Sequence, residues 1–157
     1  MNQAVPPGPS GLIPHLVCDP CCEAVDFYKK AFGAEEKFRL PMEGSSKLMH
    51  CEMMVDGHTF MMADDFPEYC EGTSQSPKSL GGTPVTIHRY VPDCDAAFAR
   101  AVEAGATVKM PPTDMFWGDR YGVVIDPFGH AWSFATPQRR VLPEELSEAM
   151  KNMPPGS

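Results

Sequence analysis

The chain has 157 residues, 43% of them apolar and 22% charged, with a formal net charge of −8. That is enough apolar material for a real core in one domain or two small fused modules, and no apolar stretch approaches the ~18 residues of a membrane span. With 13 basic against 21 acidic side chains and no basic cluster larger than the Arg139–Arg140 pair, a nucleic-acid partner is excluded.

The first residues, "MNQAVPPGPSG", lack the basic and apolar segments of a secretory signal. The six cysteines (18, 21, 22, 51, 70 and 94) are therefore expected reduced, in a cytoplasmic protein. Cys18 and Cys21 form a CxxC without the second pair that a structural zinc site needs. Packing and helix-start roles are expected for them.

In chain order, residues 1–11 read as an arm and 12–64 as a first unit. "GLIPHLV" is a strand, Asp19 a candidate N-cap, and Pro20 the expected first helical residue. Cys21, Ala24, Tyr28 and Ala31 recur at helical spacing, and Gly33 sits where the helix should stop. "SKLMHCEMMVDGHTFMMAD" predicts two strands about an Asp56–Gly57 turn. Alternation puts His50 and Glu52 on one strand face, and Met49, Cys51, Met53 and Val55 on the other. Residues 65–83, rich in Gly, Ser and Pro, read as a connector.

Residues 84–137 repeat the pattern. "TPVTIHRY" is a strand, and Asp93 caps a helix with Cys94, Phe98, Ala101 and Val102 on its apolar face. "VVIDPFGHAWSF" is a hairpin turning at Asp126, Pro127 and Gly129. The "WGDRY" before it exceeds what a hairpin needs and resembles a recognition surface. Residues 138–157 form a tail, with a short helix expected over "EELSEAM" and a frayed "NMPPGS".

Each half is thus strand, helix and a meander of about three strands, an α+β fold of two tandem βαβββ modules. "AVDFYKKAFGAE", "DAAFARAVEAGATV" and "DRYGVVIDPFGHAWSFAT" resemble the vicinal oxygen chelate superfamily of glyoxalase, bleomycin-resistance and dioxygenase proteins. "GGTPVTIHRYVPDCD" with "WGDRYG" resembles its PhnB-type branch. The resemblance covers residues 12–137. It implies modules whose curled mixed sheet encloses a shared cavity, a homodimer, and in many relatives a divalent metal held by the first and last strands of each module. No glycine-rich cofactor loop supports the methyltransferase label often given to that branch.

Anchoring on "FY" and "DPFG" places the superfamily's metal-ligand positions at Ile13, Met61, Thr86 and Ser133, which are not competent hard-metal ligands beyond the two hydroxyls. His15 and His88 lie one pleat further on, at equivalent places in the two modules, on the faces of Ile13 and Thr86. Together with His50 or Glu52 they leave two readings open: walls of an organic-ligand pocket, or a shifted metal site. Trp117 and Tyr121 offer flat faces at the cavity edge. Arg120 offers a fork for an anion, or a salt bridge to an acid such as Asp119. His58 and His130, which follow matching turns, are expected to be structural, and the methionines core filling.

Two functions follow. One is a binder of a small aromatic or anionic molecule that acts by sequestration and needs no cofactor. The other is a metal-dependent lyase, isomerase or dioxygenase built on His15 and His88. No GxSxG and no cysteine–histidine pair supports nucleophilic catalysis.

Overall fold

The computed structural model describes residues 10–152. Most of the expected arm and of the frayed "NMPPGS" lies outside the described residues. The first unit runs β1 (His15–Val17), α1 (Cys21–Phe32), β2 (Glu35–Pro41), β3 (Leu48–Val55) and β4 (His58–Ala63). A 3-10 turn and the short α2 (Pro77–Leu80) occupy the connector. The second unit runs β5 (Thr86–Tyr90), α3 (Cys94–Glu103), β6 (Thr107–Asp114), β7 (Asp119–Ile125) and β8 (Ala131–Pro137). Helix α4 (Pro143–Lys151) follows, over the segment where a tail helix is expected.

The sheets repeat each other, in the orders β1-β4-β3-β2 and β5-β8-β7-β6. Each has one parallel pair, β1 with β4 and β5 with β8, and is otherwise antiparallel. The tandem βαβββ architecture is therefore formed. The curled sheet closed around a shared cavity is not, because no hydrogen-bonded ladder joins the two sheets among the described residues.

The packing explains why. Helix α1 buries Cys21, Ala24, Val25, Phe27, Tyr28, Ala31 and Phe32, more than one sheet face needs. Phe32 and Tyr28 reach across to Trp132 on β8, at ring separations of 4.6 and 5.4 Å. One continuous core thus joins the helix-covered faces of both sheets. The opposite faces lie outside this core, although Ser133, Ala135 and Val123 on that side of the second sheet are themselves buried.

A buried carboxylate fixes this arrangement. Asp126 accepts hydrogen bonds from the backbone N–H groups of Phe128 and His130 at 2.9 Å each. It also accepts from the Tyr28 hydroxyl at 2.6 Å and the Trp132 indole at 2.9 Å. The turn, helix α1 and strand β8 are tied to one residue. His130 Nε2 donates to the Val17 carbonyl at 2.8 Å, so it is structural and bridges the units.

The N-cap expected at Asp19 is taken elsewhere. Pro20 holds the capping position in extended backbone, and the Cys21 N–H donates to Asp64 Oδ1 at 3.0 Å. Asp64 Oδ2 also accepts from the Leu48 N–H at 2.6 Å. A distant carboxylate replaces the local one. Asp93 does cap α3, accepting from the Ala96 N–H at 3.0 Å. The Asp56–Gly57 turn has φ values of 52° and 79°, the left-handed pair that a two-residue hairpin needs.

Candidate functional site

Ladder register defines the open faces. Across the first sheet, His15 stands opposite Met61, Met61 opposite Glu52, and Glu52 opposite Phe38. Across the second, His88 stands opposite Ser133 and Ser133 opposite Val123, while Tyr90 pairs with Ala135 and Ala135 with Tyr121. Partners directly opposite share a sheet face. His15, Glu52 and Phe38 therefore lie on one open face, and His88, Tyr90, Ser133 and Tyr121 on the other. In both modules it is the histidine, rather than Ile13 or Thr86, that faces the last-strand position.

On the first face His15 and His50 meet edge to face at 5.8 Å, and Phe38 lies 6.2 Å from the His50 ring. His50 Nε2 contacts Glu52 Oε1 at 3.4 Å, a long and weak contact. The His15 imidazole is held below the ordinary histidine range, first by partial desolvation and then by the neighbouring His50. Alternation along β3 holds for Cys51, Met53 and Val55, which are buried behind His50 and Glu52. It breaks at Met49: pairing jumps from Leu40–His50 to Pro41–Leu48, so Met49 is an extra, exposed residue and Leu48 is buried instead.

On the second face His88 Nδ1 hydrogen-bonds Ser133 Oγ at 2.7 Å. The His88 ring lies near-parallel to Tyr121 at 6.0 Å and edge-on to Tyr90 at 4.7 Å. Trp117 packs edge-on against Tyr121 at 5.7 Å and against Phe116 at 5.2 Å. Trp117, Tyr121 and His88 thus form one aromatic surface. Its conformation depends on Gly118, at φ 101°, where a Cβ would collide with the Arg139 carbonyl. The chain after β8 straps this loop, as Gln138 N–H and Arg139 N–H donate to the Gly118 carbonyl.

Arg120 does not join this surface. It pairs with Thr136 and lies on the helix-covered side, opposite in sense to Tyr121. Its guanidinium grips Asp95 of α3 in a fork at 2.6 and 2.8 Å, and Asp114 at 3.1 Å. The acids it pairs with are Asp95 and Asp114 rather than Asp119.

His15 and His88 do line one cavity, of about 490 Å³, between the approach to β1 and strand β5, together with Ile13, Ile87 and His130. A neighbouring cavity of about 360 Å³ lies over Trp132 and the Asp56–Arg89 ion pair. His15 is turned toward His50, whereas His88 is hydrogen-bonded to Ser133. Among the described residues no group of three or more His, Cys, Asp and Glu converges as metal ligands. Within one chain the donor set does not fit the divalent ion that the resemblance implies.

Two residues of these faces, Phe38 and Tyr90, are not among the candidate site residues of the sequence. Tyr90 carried a signal, since it follows His88 by two in a strand and so shares its face. Phe38 carried none, because a bulge at Lys37 sets its direction.

Comparison with known proteins agrees with this geometry. The model of the Glyoxalase/Bleomycin resistance protein/Dioxygenase superfamily matches residues 13–134. An uncharacterized protein of Mycobacterium tuberculosis (strain H37Rv) is 52% identical over 145 residues, covering 92% of this chain and 85% of that protein. A solved gene product from Arabidopsis thaliana aligns with a TM-score of 0.63 at 31% identity, over 80% of this chain and 98% of that one. TioX from Micromonospora sp. aligns with a TM-score of 0.62 at 28% identity, over 82% and 99%. With two open sheet faces of the same βαβββ order and a family match across both modules, the chain belongs to the glyoxalase/bleomycin resistance protein/dioxygenase superfamily.

Proposed function

We propose that this protein, a member of the PhnB-type branch, binds a flat aromatic organic molecule and acts by sequestration in a reducing, cytoplasmic setting. The observation that carries the reading is the aromatic surface of Trp117, Tyr121, His88 and Tyr90 on an open sheet face. Tyr90 is 64% exposed, a large apolar area for a side chain that no element covers among the described residues. Ring stacking on such a surface needs neither metal nor nucleophile. The engagement of Arg120 by Asp95 and Asp114 withdraws the support for an anion fork. A second copy of the chain closes the open faces into a chamber, since neither sheet closes on itself. The six unpaired cysteines accord with a reducing compartment.

The metal-dependent enzyme reading has one favourable feature, the matched placement of His15 and His88 opposite the last strands. The absence of a converging third donor within the described residues weighs against it.

The chain's two tryptophans make the test direct. Trp132 is buried and bonded to Asp126, whereas Trp117 lies at the aromatic surface. Titrating acridine should quench the Trp117 emission with saturation, and Trp117→Phe should abolish that change and weaken binding about tenfold. Saturable binding that is unchanged in Trp117→Phe, Tyr121→Ala and His88→Ala would place the ligand elsewhere.

A further inference from the structure

Four basic side chains of the sheets are diverted into ion pairs. Arg39 faces the helix side and chelates Glu36 at 2.6 and 3.1 Å. Arg89 faces the core, paired with Asp56 at 2.5 Å and lying over the Phe32 and Phe134 rings. Arg120 is held by Asp95 and Asp114. Lys37, at the bulge of edge strand β2, is paired with Glu35 at 2.5 Å. By ladder register, no Lys or Arg occupies a paired position on either open face.

Glu52 stands in contrast. Its carboxylate is partly exposed at 28% and, among the described residues, contacts only His50, at 3.4 Å. Three rings surround the spot: His50 beside it, with His15 at 5.8 Å and Phe38 at 6.2 Å from the His50 ring. Phe38 is 48% exposed and His15 is held toward its neutral form, so neither closes the site nor repels a positive charge.

We propose that the Glu52, His50, His15 and Phe38 cluster binds the protonated or alkylated amine of the ligand, the second copy of the chain setting this cluster opposite the aromatic surface. The deduction rests on the aromatic-ligand reading and adds a charge to that molecule. Aromatic faces attract an ammonium through their quadrupole, and a carboxylate completes the attraction in a way that no donor-poor apolar group can. A net charge of −8 on the chain steers a cation inward and an anion away. A metal ion would demand short, convergent donors, which the T-shaped histidine pair and the long His50–Glu52 contact do not supply.

The test uses one ring system in three charge states at pH 7.5: 9-aminoacridine as cation, acridine as neutral molecule and acridine-9-carboxylate as anion. Calorimetric titration of the full chain should rank the cation about tenfold tighter than acridine, with the anion weakest. Glu52→Gln should bring the cation to within about twofold of acridine and leave acridine affinity unchanged, with an unaltered melting temperature. Equal affinities, or a cation preference that survives in Glu52→Gln, would overturn the amine site while leaving ring binding intact. Failure of all three to bind would remove the aromatic-ligand reading and this site together. Stoichiometric Zn²⁺ binding lost in Glu52→Gln, without any amine preference, would overturn it in favour of a metal.

Discussion

Arg120 illustrates how a single residue's role is decided by which way a strand presents it. Tyr121 and Arg120 are neighbours in a motif that reads as one recognition surface, yet alternation sends their side chains to opposite faces of β7. The guanidinium then meets Asp95 at the start of α3 and Asp114 on β6. Both carboxylate contacts favour the charged form, and Asp95 is held below the usual aspartate range by this Arg120 hydrogen bond. The arrangement is a clamp between helix and sheet, at the surface. Arg120→Lys should therefore lower the melting temperature by no more than a few degrees and leave acridine affinity unchanged, because a lysine cannot reproduce the fork. Thermal melts beside the acridine titration check this; lost binding with an unchanged melt would return Arg120 to the site.

At the scale of elements, Glu36 is the joint between α1 and β2. It accepts from Lys29 of the helix at 2.6 Å and from Arg39 of its own strand at 2.6 Å. The Arg39 hydrogen bond first, and Lys29 next, depress its carboxyl to about 2. A depressed folded-state value means stability that is present above the ordinary glutamate range and lost as pH falls toward about 2. Glu36→Gln should cost about 1 kcal/mol at neutral pH, and the gap to wild type should close in acid. Urea melts at pH 7 and pH 3 measure that gap, and a constant difference would sink the argument. The same elements mark how far the sequence was readable. Helix spacing at Cys21, Ala24 and Tyr28, the Asp93 cap and the Asp56–Gly57 turn act within a few residues and were legible. The capping of α1 by Asp64, the bulges at Lys37 and Met49, and the packing of Phe32 on Trp132 join distant positions and were not. The site divides likewise: periodicity places His15, His50, Glu52 and His88 on open faces, but pairwise contacts are set by tertiary packing.

At the scale of the whole molecule, the core lies between the helix-covered faces, so the open faces point away from it and keep exposed apolar side chains. Phe38 is 48% exposed, Leu40 46% and Tyr90 64%. Residues of this size along open sheets, together with sheet edges at β1, β2, β5 and β6 that are unpaired among the described residues, make self-association the expected state. Two-fold pairing would set the first sheet of one copy against the second sheet of the other, so that each aromatic surface gains an acidic, imidazole-bearing wall. Light scattering at micromolar concentration should accordingly give about twice the 17.2 kDa of one chain. Tyr90→Asp should shift that mass toward the monomer, because a carboxylate would be buried without a partner. Its circular dichroism should be unchanged, since Tyr90 contributes nothing to the shared core. Acridine affinity should fall as well, because Tyr90 is one of the rings of the surface and because the chamber loses one wall. A wild-type chain that scatters as a monomer, or a Tyr90→Asp variant that stays dimeric and binds normally, would show that each open face works alone.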